Sequence, residues 1–191
     1  MNRYSCKNAN TVLLILALLV SVFSCTTKES PPESKDIAEE KNDEKFDTRS
    51  SEKEAQFVVD AISNSYAEIR LTELAEQRAI DANVKAAAIE LNKEHSGLLA
   101  RLKEYAVKKA ISIPTEASER DKDSVEKLTS DKNFDKAWCK EAQRINKETI
   151  DSFEKASASL DDAELKTWAD NKLPGIRRAH DKIMACESRL R

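Results

Sequence analysis

The stretch Val84–Lys109, VKAAAIELNKEHSGLLARLKEYAVKK, decides the fold. Read at gaps alternating four and three, it gives Val84, Ala88, Leu91, His95, Leu98, Leu102 and Tyr105. That spacing returns one face of an α-helix at every step, so the segment is a helix with a single apolar stripe. One member breaks the rule: His95, one of only two histidines in the chain, stands where an aliphatic side chain is expected.

Composition extends the helical reading to the whole chain. Two glycines and four prolines in 191 residues leave little material for turns or bulges. Ala, Glu, Lys and Leu dominate, which favours long helices over sheet. Aromatic residues make up 5% and charged residues 35%, so the core is thin and mostly aliphatic. The formal net charge is -3 with both signs interspersed. No basic run with interleaved aromatics occurs, so nucleic acid is not the expected partner.

The first 24 residues read as an export signal rather than as part of the fold. Arg3 and Lys7 precede a largely apolar run from Val12 to Phe23, which is too short to span a membrane comfortably. The run ends in Val22-Phe23-Ser24-Cys25, which resembles a bacterial lipobox, with Cys25 as the lipidated first residue of the mature protein. Phe23 departs from the small or polar residue commoner at that place, and an ordinary secretory signal cleaved nearby is the other reading. Lipids on Cys25 anchor the protein to a membrane without spanning it. Residues 25–52, with Pro31-Pro32 and many charges, show no helical or strand period and read as a disordered tether. Residues 53–191 form the domain.

Four long helices are expected there. The first runs from about Glu54 to Ile80, with Phe57, Ala61, Ser65, Glu68, Leu71, Ala75 and Ala79 on one face. The second begins after Asp81 or Asn83, either of which suits an N-cap, and ends before Ile113-Pro114. A longer crossover with a short helix, packed through Val125 and Leu128, leads to the third near Asn133. Its face carries Phe134, Trp138, Ala142, Ile145, Thr149 and Phe153, with Cys139, Asn146 and Ile150 alongside. The fourth starts after Asp161 or Asp162 and presents Leu165, Trp168, Ala169, Leu173, Ile176, His180 and Ile183, with a kink expected at Pro174. Short links near Asp81 and Asp161 make two antiparallel hairpins, hence an all-α, up-down-up-down four-helix bundle.

Each stripe carries one polar member: Glu68, His95, Asn146 and His180. Counted from the turns, Glu68 and His95 reach nearly the same height, while Asn146 and His180 differ by about one helical turn. Two readings follow. Glu68 and His95 satisfy each other as a buried polar contact, or Glu68, His95 and His180 hold a transition-metal ion or small ligand. The Glu-x-x-His pairs of a di-iron centre are absent, because Asn92 precedes His95 by three and Arg177 precedes His180 by three. Nothing in the sequence resembles a nucleophile with its base or a phosphate loop. The remaining cysteines, Cys139 and Cys186, reach similar heights on adjacent helices of an exported chain, so a disulfide between them is expected, two separate buried thiols being the other reading.

These pieces, in their order, resemble a bacterial envelope family catalogued as domain of unknown function 4142. The residues that carry the likeness are Phe57-Val58, Ala67-Glu68-Ile69, Leu74-Ala75, Val84-Lys85, His95, Leu98, Ile113-Pro114, Phe134-Asp135, Leu173-Pro174 and His180. The resemblance implies a ferritin-like bundle in the periplasm or on the outer membrane, and it supplies no activity. It also implies histidine at the position of Asn146 in many relatives, which weakens a metal site here. The expectation is a lipid-anchored envelope bundle that binds or maintains rather than catalyses, and that needs no cofactor.

Overall fold

A computed structural model describes residues 32–190. The proposed signal and Cys25 lie outside the described residues. Six helices follow one another: α1 (Ser34–Asp43), α2 (Arg49–Arg78), α3 (Ala82–Lys109), α4 (Glu119–Leu128), α5 (Phe134–Ser159) and α6 (Ala163–Arg189). No described helix is long and apolar enough to cross a membrane.

Short polar side chains set the helix starts. Thr48 accepts from Ser51 N, Asp81 from Asn83 N and Val84 N, Ser118 from Asp121 N, and Asp162 from Leu165 N. Each satisfies an amide that the first turn leaves without an intrahelical partner. At the other end of α3 the chain turns through Ala110, which takes a left-handed conformation at φ 56°. This is a position that glycine fills without steric cost. α6 continues through Pro174.

The order of directions differs from the expected up-down-up-down. Asn92 Nδ2 donates to Thr72 Oγ1 at 2.9 Å, so α3 runs antiparallel to α2. Trp138 Nε1 donates to the Leu71 carbonyl at 2.9 Å, and Phe153 meets Phe57 edge-on at 5.2 Å, so α5 also runs antiparallel to α2. Gln143 and Glu154 of α5 bond Glu187 and Arg177 of α6, which reverses the chain once more. The bundle is therefore up-down-down-up. The physical reason is the 110–133 connection. α4 carries the chain back along the bundle, from Arg120 beside Glu148 to Leu128, whose carbonyl accepts from Arg78 at 2.8 Å. A connection that returns to the starting end makes α3 and α5 parallel.

The tether is also shorter than its composition suggests. Residues 34–43 form α1, which folds back along α2 with Ala38 and Asn42 buried. Asn42 does what no periodicity test detects. Its amide donates to Ser112 O at 2.8 Å and accepts from Ser112 N at 2.7 Å, so one side chain pairs both backbone groups of the α3–α4 link. At the other end of α1, Glu33 accepts from Glu119 N, the first amide of α4. α1 and α4 thus meet end to end at the bundle's waist, one covering the lower half of α2 and the other the upper half.

The core divides in two along the bundle. The lower cluster includes Phe57, Ile62, Leu98, Leu102, Phe153, Leu165 and Ile176. The upper includes Leu71, Val84, Leu91, Trp138, Ile145 and Ile183.

Candidate functional site: a polar layer in the core

Between the two apolar clusters every long helix places a polar side chain. On α2 the boundary falls between Ile62 and Ala67, with Glu68 at its upper edge. On α3 it falls between Leu91 and Leu98, around His95. On α5 it lies between Ile145 and Phe153, which brackets Asn146 and Thr149, and on α6 between Ile176 and Ala179, next to His180. Glu68, His95 and Asn146 are completely buried, whereas His180 is half-buried. The four sequence candidates therefore belong to one layer, including the pair whose heights seemed mismatched.

The layer is short of hydrogen bonds. Neither oxygen of Glu68, neither nitrogen of His95, neither polar atom of Asn146 nor Nδ1 of His180 has a partner. These are seven of the eight unpartnered buried side-chain atoms among the described residues, the eighth being Tyr105 OH. The hydroxyls nearby close on their own helices instead: Ser65 onto Ala61 O at 2.7 Å and Thr149 onto Ile145 O at 3.1 Å. The expected contact between Glu68 and His95 is thus not a hydrogen bond. Their helices are correctly paired, but the side chains stay apart at the level where they stand.

Burial makes the layer neutral. It pushes the Glu68 carboxyl well above the usual carboxylate range, with Glu141 and Asp121 adding to the effect and Arg144 opposing it. Burial alone lowers His95 to about 4. Burial thus favours a protonated carboxyl at Glu68 and a neutral imidazole at His95, beside the Asn146 carboxamide, all of which both donate and accept.

Outside the layer, on the α4 side, stands a charged wall absent from the sequence reading. Arg144 bonds Asp121, Glu141 and Glu148 at once. Asp121 is buried, and burial works to raise its pKa. Bonds from Ser118 and Arg144 overcome that and hold the carboxyl below its ordinary value. Glu68 lies within electrostatic reach of this wall. The signal was weak in sequence because Asp121 and Arg144 are ordinary members of a charge-rich surface until α4 is laid across α5.

The metal reading finds no assembled ligand group. Among the described residues no three His, Cys, Asp or Glu side chains gather as ligands would, so Glu68, His95 and His180 share a level without converging. The bridge expected between Cys139 and Cys186 is not made; both are free thiols buried in the upper apolar cluster. Burial, with Cys186 nearby, pushes the Cys139 thiol up to about 12, so it packs as a small protonated apolar side chain rather than as a nucleophile.

Fold and site together define a class: a crossover four-helix bundle with a neutral polar layer dividing its core. Comparison with known proteins gives the family. The model of the family described as Domain of unknown function (DUF4142) matches residues 39–185, and the chain belongs to that family. The match takes in half of α1 along with the bundle, in keeping with α1 as part of the domain. No curated protein and no solved structure matches the chain.

Proposed function

We propose that this protein is a lipid-anchored, non-enzymatic bundle of the bacterial cell envelope, on the periplasmic face or outer membrane, that takes a small polar guest into its core layer. One observation carries the binding role: seven unpartnered polar atoms on four side chains, one side chain per helix, at one level of an otherwise apolar core. A buried donor or acceptor without a partner costs about 1–3 kcal/mol. Several such groups would consume much of the 5–15 kcal/mol by which a domain is typically stable. A layer kept at that cost without occupants would be a poor use of a core, and buried polar groups in native proteins are paired with protein or with something else. The neutral donor–acceptor character favours a hydrogen-bonding guest over a free ion. The export signal and Cys25 support the anchor.

The anchor is tested by metabolic labelling with a clickable fatty acid. The wild type takes the label and Cys25→Ser does not; labelling of both or of neither overturns the anchor. The guest is tested by native mass spectrometry of protein released from membranes without chelators, with elemental analysis of the same sample. A mass excess that disappears on denaturation and is absent in Asn146→Leu supports the proposal. A native mass equal to the covalent mass overturns it. Stoichiometric iron, manganese, zinc or copper would replace it with the metal reading through Glu68, His95 and His180.

A further inference from the structure

The length of chain outside the bundle, and the place where it leaves, fix which side of the molecule can face a membrane. The sequence alone suggests a tether of about 26 residues, long enough to let the domain tumble freely. The structure shortens it. α1 is fastened at its end by the two bonds between Asn42 and Ser112, at its start by the bond from Glu119 N to Glu33, and along its length by Lys35 to Asp60 at 3.0 Å and Gln56 to Glu39 at 2.7 Å. Only residues 26–32 then separate Cys25 from the first fastened residue. From Cys25 to Glu33 the chain makes eight steps, about 27 Å at full extension.

The exit point matters as much as the length. Glu33 sits at the waist, halfway along the bundle, in the outer layer formed by α1 and α4. Behind that layer come α2 with α5, and then α3 with α6, which pair through Glu90–Lys182 and Arg101–Glu164. Helix axes pack about 9 Å apart. With the α3–α6 face on a membrane, Glu33 would stand about 25 Å above it, and the leash would also have to travel around the flank. Eight steps do not cover the height and the flank together. With the α1–α4 face down, they reach with slack.

We infer that the α1–α4 face is the membrane-facing side of the protein and that the α3–α6 face looks away from the lipid. The inference rests on the lipid anchor at Cys25 proposed above. The partner is the headgroup zone of the bilayer rather than its interior, because the outer residues of this face are charged: Glu40 and Lys41 on α1, Glu44 just past its end, and Asp123, Glu126 and Lys127 on α4 are all exposed. Acidic residues predominate, so the leash and not electrostatic attraction sets the orientation. The orientation is therefore insensitive to salt.

The test uses the full lipidated chain in vesicles of phosphatidylethanolamine and phosphatidylglycerol that carry a headgroup-attached quencher. A fluorophore is placed through Lys41→Cys or Glu126→Cys on one face and through Glu90→Cys, whose native carboxylate pairs with Lys182 across α3 and α6, on the other, the native thiols being buried. Strong quenching at Lys41 and Glu126 with weak quenching at Glu90 is expected. Inserting a flexible segment of about 20 residues after Thr27 should erase the difference. Equal quenching at all three positions with the native leash, in protein that floats with the vesicles, overturns the orientation alone. Failure of the wild type to float overturns the anchor beneath it.

Discussion

Replacing Glu68 with glutamine should change the pH dependence of stability in a way that reads out the polar layer directly. In the native state Glu68 holds its proton well above its ordinary value of 4.5, and His95 refuses one down to about 4, against an ordinary value of 6.5. The signs are opposite. For His95, the unfolded chain binds the extra proton, so stability is full above about 6.5 and is lost as pH falls toward 4. For Glu68, the native chain binds the extra proton, so stability is full below 4.5 and is lost as pH rises toward its folded pKa. Between pH 4.5 and 6.5 His95 contributes about 1.4 kcal/mol per pH unit, and Glu68 contributes a slope of the opposite sign.

In the wild type the two contributions therefore oppose one another. Glu68→Gln removes the falling slope and leaves His95's, so the variant gains stability relative to wild type as pH rises from 4.5. His95→Gln should lose about 3 kcal/mol relative to wild type between pH 4.5 and 6.5. Urea denaturation followed by the fluorescence of Trp138, which is buried in the core, gives the difference profiles. Other carboxylates cancel in the difference because they are common to all three proteins. Parallel profiles for wild type and Glu68→Gln would refute the claim that both groups are neutral in the native core.

Ala110→Gly should raise stability by about 1 kcal/mol, because alanine occupies the left-handed position that ends α3; thermal denaturation would show a rise of about 3 °C. Gly97→Ala should stabilise by a similar amount, since Gly97 lies exposed in the middle of α3 and a Cβ there meets nothing within 4 Å. Asp135→Ala should cost about 1–2 kcal/mol in urea, because its carboxylate accepts from Ile80 N and Asp81 N and so ties the α2–α3 turn to the start of α5. Asn42→Ala should release α1 while the bundle stays folded, seen in hydrogen exchange as lost protection over residues 34–43 with α2 to α6 unchanged.

What was legible in the sequence is what repeats every three or four residues. The stripe around His95 located α3, and the same spacing found α2, α5 and α6 with their inward polar members. Caps were legible too, since Asp81 and Asp162 hold the amides their chemistry suits. What was not legible depends on single side chains acting across long separations. α1 is too polar to announce itself, and its place depends on Asn42 satisfying Ser112 seventy residues away. The parallel arrangement of α3 and α5 depends on how far α4 travels, and hydrophobic spacing carries no information about that. The pairing of Cys139 with Cys186 was a height argument, and height does not say whether two sulfurs meet.

The crossover also explains why the polar layer is protected on one side and thin on the other. α4 lies over α2 and α5, carrying Asp121 to Arg144 and a closed set of ion pairs outside Glu68. A water or ion entering from that side would have to break this set. Across the molecule, α6 has no fifth helix over it, and His180 stands half-exposed on it, on the side of Arg177 and Glu187 that faces α5, with its Nδ1 buried and unpartnered. If anything polar reaches Glu68, His95 and Asn146, the route of least resistance is past His180. The proposed orientation, with the α1–α4 face toward the lipid, would leave that side of α6 open to water, so the proposed anchor and the layer would impose compatible demands on how the bundle is held.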